Sequence, residues 1–325
     1  MNAQHSGGKL LSQENGVSAM TSAHNKKKLT GLVAATFTPF TADSELNLPV
    51  IGPYIDYLRE KQGVNSIFVN GTTGESLSLT VKERKELAEE WCEKAKGKMD
   101  HVIVHVGSMS IKDSQDLAVH AANIGADGIA VITPSFFKPK TAEPLRLFLQ
   151  QVASVAPNVP FYYYHLPAIT GVNIAVRDVI DGIEELIPSF GGIKFSGIDL
   201  MDFSLCVSNK HSTWTLLYGI DEQLLPALVM GAQGAVGSTY NYAGCHINEL
   251  LSAFEKGDLV QARKIQVKLQ ELISYAMKIG FDVGVNKQLM SDVSGLSLGP
   301  ARLPLEPCSF SHAQSIKKKY HSIFS

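Results

Sequence analysis

Residues 110–132 read SIKDSQDLAVHAANIGADGIAVI. Leu117, Ala118, Ala121 and Ile124 recur at helical spacing, Ser110 stands where a side-chain cap belongs, and Gly125 supplies the left-handed turn that ends a helix. The pattern then changes to the apolar run Gly128 to Ile132, as expected of a strand buried on both faces. A helix leading into such a strand is half of a parallel-sheet repeat, so the stretch predicts βα units. The same joint recurs at Gly231-Ala232-Gln233-Gly234.

Working outward, eight candidate strands lie near Leu32 to Thr36, Ser66 to Asn70, His101 to Val106, Gly128 to Ile132, Phe161 to Tyr164, Gly192 to Phe195, Thr215 to Tyr218 and Ala235 to Ser238. Eight strands alternating with helices predict an α/β fold, the (β/α)8 TIM barrel. Thr80 with Glu83 makes a capping box before the stripe Leu87, Ala88, Trp91 and Ala95. After Asn241 the alternation stops, and Ile247 to Glu255, Leu259 to Gly280, Val285 to Val293 and a short Ile316 to Phe324 read as helices. The expected organisation is a flexible leader over 1–27, a catalytic barrel over 28–245 and a C-terminal helical extension over 246–325. Val267, Leu269, Leu272, Ile273 and Met277 make the extension apolar enough to need a partner surface, either the barrel or another subunit.

Composition removes several function classes. With 29 Lys and Arg against 31 Asp and Glu, the net charge is -2, which gives no general attraction to phosphate backbones, so no nucleic-acid partner is expected. The content, 45% hydrophobic and 18% charged, can bury a large core and is unlike a disordered chain. No stretch of about 18 apolar residues offers a membrane span. Met1 to Asn25 lacks the apolar centre of a signal peptide, and the scattered Cys92, Cys206, Cys245 and Cys308 read as reduced thiols, which together predict a cytoplasmic protein. There is no P-loop, no G-x-S-x-G elbow and no G-x-G-x-x-G after the first strand. His101 and His105 share a strand face but stand about 13 Å apart along it, too far for one zinc ion, so no metal is expected.

In a barrel of this kind, reactive groups belong at the carboxyl ends of strands. The second strand ends in Gly71-Thr72-Thr73-Gly74-Glu75, either an ordinary turn or a site where amides and hydroxyls meet a small carboxylate. The sixth places Lys194 in the apolar run Gly191 to Ser196; such a lysine either snorkels to solvent or serves as an amine nucleophile, since burial favours the neutral form that attacks a ketone. On the fifth, Tyr162 and Tyr164 share one face and Tyr163 takes the other, so a phenol near Lys194 has the chemistry to carry a proton. The seventh and eighth end in Tyr218-Gly219-Ile220-Asp221-Glu222 and Gly237-Ser238-Thr239-Tyr240-Asn241, both polar rims. Asp221 and Glu222 read either as a helix N-terminus complementing its dipole or as acceptors for substrate hydroxyls.

These motifs, in this order and spacing, resemble the N-acetylneuraminate lyase and dihydrodipicolinate synthase family over roughly Lys28 to Leu305. The resemblance implies a barrel with a helical C-terminal extension, usually assembled as a homotetramer, whose sixth-strand lysine forms a Schiff base with pyruvate or a related 2-keto acid and needs no cofactor. Lys194 occupies that position. Dihydrodipicolinate synthases characteristically carry an arginine after the fifth-strand proline, and His165-Leu166-Pro167-Ala168-Ile169-Thr170-Gly171 has none. The segment instead looks like the vertebrate-type lyases. Many members place a tyrosine pair after the fourth strand, whereas Thr133-Pro134-Ser135-Phe136-Phe137 offers no hydroxyl ring to relay a proton.

The implied activity is a reversible aldol cleavage of sialic acid, with Lys194 and Tyr164 as catalytic residues. Thr72 and Thr73 would hold the pyruvyl carboxylate, while Ser196, Gly219, Asp221, Glu222 and Ser238 orient the sugar. Two alternatives stay open: the same imine chemistry on 4-hydroxy-2-oxoglutarate or 2-keto-3-deoxygluconate, and a non-catalytic ligand-binding homologue.

Overall fold

Eight parallel strands pair in chain order and close on themselves: β1 Gly31–Ala35, β2 Ser66–Val69, β3 His101–His105, β4 Gly128–Ile132, β5 Phe161–His165, β6 Phe190–Phe195, β7 Thr215–Tyr218 and β8 Gly234–Gly237, with β1 hydrogen-bonded to β8. The computed structural model describes residues 27–209, 211 and 213–324. The expected leader therefore lies outside the described residues except for Lys27.

The period of two along each strand divides the core. Val33, Phe68, Ile103, Ala130, Tyr162, Tyr164, Leu217 and Val236 pack with one another inside the barrel. Their neighbours Ala34, Ile67, Val104, Val131, Tyr163, Ile193 and Leu216 pack outward with helical residues such as Leu87 and Trp91. The tyrosine parity expected on the fifth strand is thus realised, with Tyr164 inward and Tyr163 outward. The helix Val81–Ala95 starts with both arms of its capping box, as Thr80 N donates to Glu83 Oε2 at 2.8 Å and Glu83 N to Thr80 Oγ1 at 3.2 Å. A cap of this type contributes about 1 kcal/mol. Ser110 caps Ile111–Asn123 through Asp113 N, and Gly125 and Gly231 both take the positive φ that the reused joint needs.

Four helices follow the barrel, Tyr240–Glu255, Leu259–Ile279, Val283–Ser294 and Phe310–Phe324. Two of the helix starts differ by six residues or more from the sequence expectation, and the other boundaries by one or two. The first begins at Tyr240 instead of Ile247 and runs unbroken past residue 245, because Asn241 is not a rim residue: its Nδ2 donates to Ala35 O at 2.7 Å and its Oδ1 accepts from Tyr54 Oη at 2.6 Å. Tyr240 is likewise fully buried. The last begins at Phe310 instead of Ile316, since the serine-rich lead-in that reads as loop supplies a start signal, Ser309 Oγ accepting from His312 N at 3.3 Å. In Leu259–Ile279, Leu269, Leu272 and Ile273 turn inward, whereas Val267 and Met277 stay exposed. The buried face of this helix packs on its neighbours Tyr240–Glu255 and Phe310–Phe324 and, on the barrel side, on Asp221–Gln223 and Leu224–Val229.

Candidate active site

Register brings the two central residues together. Tyr164 on β5 is paired with Lys194 on β6, and Lys194 with Leu217 on β7. The lysine Nζ lies 4.0 Å from the ring centroid of Tyr164 and 4.3 Å from that of Phe68. Lys194 is 5% exposed, and among the described residues no hydrogen bond or ion pair reaches its amine. A buried amine held only against aromatic faces is available for chemistry, as a salt-bridged one would not be.

The Thr72-Thr73 turn borders this amine. Thr72 Oγ1 and Tyr164 Oη are 3.1 Å apart. Glu75 N donates to Thr72 O at 3.0 Å and closes the turn, while the amides of Thr72 and Thr73 are not spent on backbone bonds among the described residues. Asn70 and Glu75 hold positive φ on either side, which folds the segment back on itself. Behind it His105 stands edge-on to Tyr164, with ring centroids 5.9 Å apart. Burial holds its imidazole well below the ordinary range, with Arg84 acting the same way. Its Nδ1 donates to Asn70 O at 2.8 Å and its Nε2 accepts from Ile132 N at 3.3 Å, so this ring is a neutral prop for the turn.

Across the barrel mouth, Asp221 Oδ2 accepts from Thr239 Oγ1 at 2.6 Å and Thr239 N at 3.0 Å. Burial raises the Asp221 carboxyl to about 6, with the Thr239 bonds pulling the other way. Asp221–Gln223 is a turn opening the helix Leu224–Val229, and both acids also line the cavity. Glycine is needed where these groups crowd: a Cβ on Gly237 would stand 1.9 Å from Asp221 Oδ1, and one on Gly219 2.0 Å from Ser196 Oγ.

All nine candidate residues, Thr72, Thr73, Tyr164, Lys194, Ser196, Gly219, Asp221, Glu222 and Ser238, line one cavity of about 390 Å³. A larger hollow of about 470 Å³, beside Arg177, Asp178 and Trp214, holds none of them. Among the described residues no three His, Cys, Asp or Glu side chains are grouped to hold a metal.

The sequence matches the dihydrodipicolinate synthetase family over residues 28–323. The chain belongs to that family. It is 61% identical over 297 residues to the N-acetylneuraminate lyase of Danio rerio, covering 91% of this chain and 97% of the relative. It is 55% identical to the N-acetylneuraminate lyase of Homo sapiens, covering 93% and 94%. A solved N-acetylneuraminate lyase (sialic acid aldolase) from Aliivibrio salmonicida superposes with a TM-score of 0.87 at 36% identity, covering 92% of this chain and 98% of that one. These similarities agree with the branch read from the arginine-free segment after the fifth strand.

Sequence reasoning overlooked how much of this family barrel's cavity the extension builds. Ile273, Met277, Phe281, Asp282, Val283 and Asn286 complete the wall. The long helix Leu259–Ile279 also grips the acidic turn, Gln266 Nε2 donating to Asp221 O at 3.2 Å and Gln270 Nε2 to Glu222 O at 2.8 Å. On the other side Lys287, wholly buried, donates to Glu75 Oε1 at 3.0 Å and to Pro300 O at 3.0 Å, and Glu75 Oε2 accepts from Arg302 N at 2.8 Å. Burial lowers the Lys287 ammonium to about 8 against the opposing pull of Glu75. A Lys beside an Asn in the apolar stretch Val283 to Met290 was the available signal, the same type of signal that singled out Lys194.

Proposed function

We propose that the chain catalyses reversible aldol cleavage of N-acetylneuraminate to pyruvate and N-acetyl-D-mannosamine, with Lys194 as the Schiff-base nucleophile and Tyr164 as the proton carrier. The observation that carries this reading is the buried, unpaired Lys194 amine in register with Tyr164 and beside the open amides of Thr72 and Thr73. High identity to N-acetylneuraminate lyases along nearly the whole chain supports the substrate.

The lone pair of Lys194 Nζ attacks carbon 2 of the open-chain ketone, water leaves, and a protonated imine forms. Loss of the carbon-4 hydroxyl proton breaks the bond between carbons 3 and 4, and the released electron pair moves into the imine to give an enamine. The aldehyde product, N-acetyl-D-mannosamine, departs. The enamine takes a proton at carbon 3, and water hydrolyses the resulting pyruvate imine to restore the amine. Because the imine is the electron sink, the reaction needs no cofactor. Tyr164 Oη, bonded to Thr72, receives the carbon-4 proton through a hydroxyl or the substrate carboxylate, since a phenol alone is a weak base at neutral pH. Thr72 and Thr73 hold the carboxylate, and Ser196, Gly219, Asp221, Glu222 and Ser238 orient the polyhydroxy portion.

The same reading makes the enzyme a cytoplasmic homotetramer. Phe136 and Phe137, 75% and 87% exposed, continue from Ser135, whose amide donates to Met109 Sδ. Leu77 and Met109 line the adjoining hollow, so these residues offer an apolar surface suited to a second subunit. The four cysteines are unbridged, as a reducing compartment would keep them. No helix among the described residues is long and apolar enough to cross a membrane.

Borohydride trapping with pyruvate, followed by peptide mass analysis, tests the reading beside a coupled assay of N-acetylneuraminate cleavage. The expected result is an adduct on Lys194 together with turnover, both lost in a folded Lys194→Ala variant. An adduct without cleavage would move the substrate to another 2-keto acid, and neither adduct nor turnover would leave a binding protein.

A further inference from the structure

Asn286 stands on the helix Val283–Ser294, 6% exposed, at the wall of the cavity. Its Nδ2 donates to Ser238 Oγ at 2.8 Å, and its Oδ1 is buried without a hydrogen-bond partner. Other buried polar atoms also lack partners, among them Trp91 Nε1, Tyr240 Oη and Tyr242 Oη, but those side chains do not border the cavity. Buried acceptors are rarely left without donors, so one on a side chain that lines a ligand cavity, within a small rotation of it, points to a donor on the ligand. Nor can the helix easily turn Asn286 away, because the next residue, Lys287, is bonded to Glu75 and Pro300.

The chemistry of the substrate decides which part meets this carbonyl. The pyruvyl end presents a carboxylate, a carbon chain and, after imine formation, one N–H fixed at Lys194: acceptors and apolar surface, with no other donor for an amide oxygen. Hydroxyls and an amide N–H occur only on the portion that becomes N-acetylmannosamine. Resting on the function proposed above, we infer that Asn286 is a specificity-determining residue: its Oδ1 accepts from a hydroxyl or amide N–H of the sugar portion while its Nδ2 holds Ser238 beside the same group. Asn286 acts on which aldehyde is accepted, and imine formation is left to the barrel.

The test compares wild type with Asn286→Leu, which keeps the volume and removes both polar ends, and with Asn286→Ala, which guards against a packing failure in the first. Three readouts are needed: kcat/KM for N-acetylneuraminate, the half-saturating pyruvate concentration in borohydride trapping, and the unfolding midpoint. The expected result is a kcat/KM lower by about 10- to 100-fold, the scale of one lost hydrogen bond with its partner left unpaired, while pyruvate half-saturation stays within about twofold. Equal losses for cleavage and pyruvate capture would make the residue merely structural and overturn the inference. So would cleavage unchanged in both variants while wild type is active. Wild type that traps pyruvate but does not cleave N-acetylneuraminate would instead overturn the substrate reading on which the inference rests.

Discussion

The two ends of the cavity are made by different parts of the chain. Around Lys194 the walls are barrel residues alone, Phe68, Tyr164 and the Thr72-Thr73 turn, and the nearest surfaces to the amine are aromatic. Around Asp221, Glu222 and Ser238 polar groups stand beside apolar ones such as Ile273 and Met277, and the wall is shared with two helices of the extension. On the function proposed above, the difference separates bond-making from recognition: an end common to every 2-keto acid stays within the barrel, and an end that must choose an aldehyde draws on residues added after it. Changes at the first end are expected to lower kcat for any substrate, and changes at the second to act on the sugar alone.

The largest effect tests the chemical end. Tyr164→Phe is expected to lower kcat by about 10²- to 10⁴-fold, the range of a lost proton-transfer group, with adduct formation on Lys194 retained; an unchanged kcat would remove the phenol from the proton path. Next is the tie between the two ends. Lys287→Met leaves Glu75 buried without its ion-pair partner and is expected to cost about 3–5 kcal/mol in urea unfolding. A cost near zero would mean that the extension docks without this pair. Smaller still, Glu222→Gln is expected to reduce kcat/KM for N-acetylneuraminate by about tenfold while pyruvate trapping is kept, in keeping with the 1.5–3 kcal/mol typical of hydrogen bonds to charged groups. Equal losses for both would erase the division drawn here.

The smallest effect comes from pH. Asp221, raised from 3.8 to about 6 by burial, takes up its proton as pH falls through about 6 and then has one acceptor oxygen fewer for the sugar. Sugar affinity should therefore fall below about pH 6 more steeply than pyruvate affinity does. Stability moves the other way. The folded chain binds this proton more tightly than the unfolded one, so the contribution of Asp221 is fully present below 3.8 and is lost as pH rises through about 6. Parallel titrations of KM and of the unfolding midpoint separate the two, and an Asp221→Asn variant should flatten both.

The chemical end was legible in the sequence for physical reasons that do not apply to the other. Lys194 and Tyr164 sit on adjacent strands where period-two alternation tells inside from outside, and a lone cation in an apolar strand is conspicuous. The glycine-flanked Thr72-Thr73 turn and the strand ends at Gly219 and Gly237 announce themselves by residue type. Asn286, Phe281 and Lys287 reach the site through the packing of helices, and Lys287 meets Glu75 across 212 positions of sequence. No local periodicity reports such a meeting. The early start at Tyr240 was missed for a related reason, since Asn241 looks like a rim residue until Ala35 and Tyr54 are found around it.

The Lys287–Glu75 pair also bears on the order in which the protein is made. Synthesis runs from the amino end, so a chain that has just emerged through β8 already possesses Lys194, Tyr164 and the threonine turn, yet Glu75 has no cation and Ser238 no amide beside it. Those arrive only with Asn286 and Lys287, on the third helix after β8. The residues around the amine thus precede in the chain those that complete the cavity wall, and the finished cavity waits on docking of the late helices.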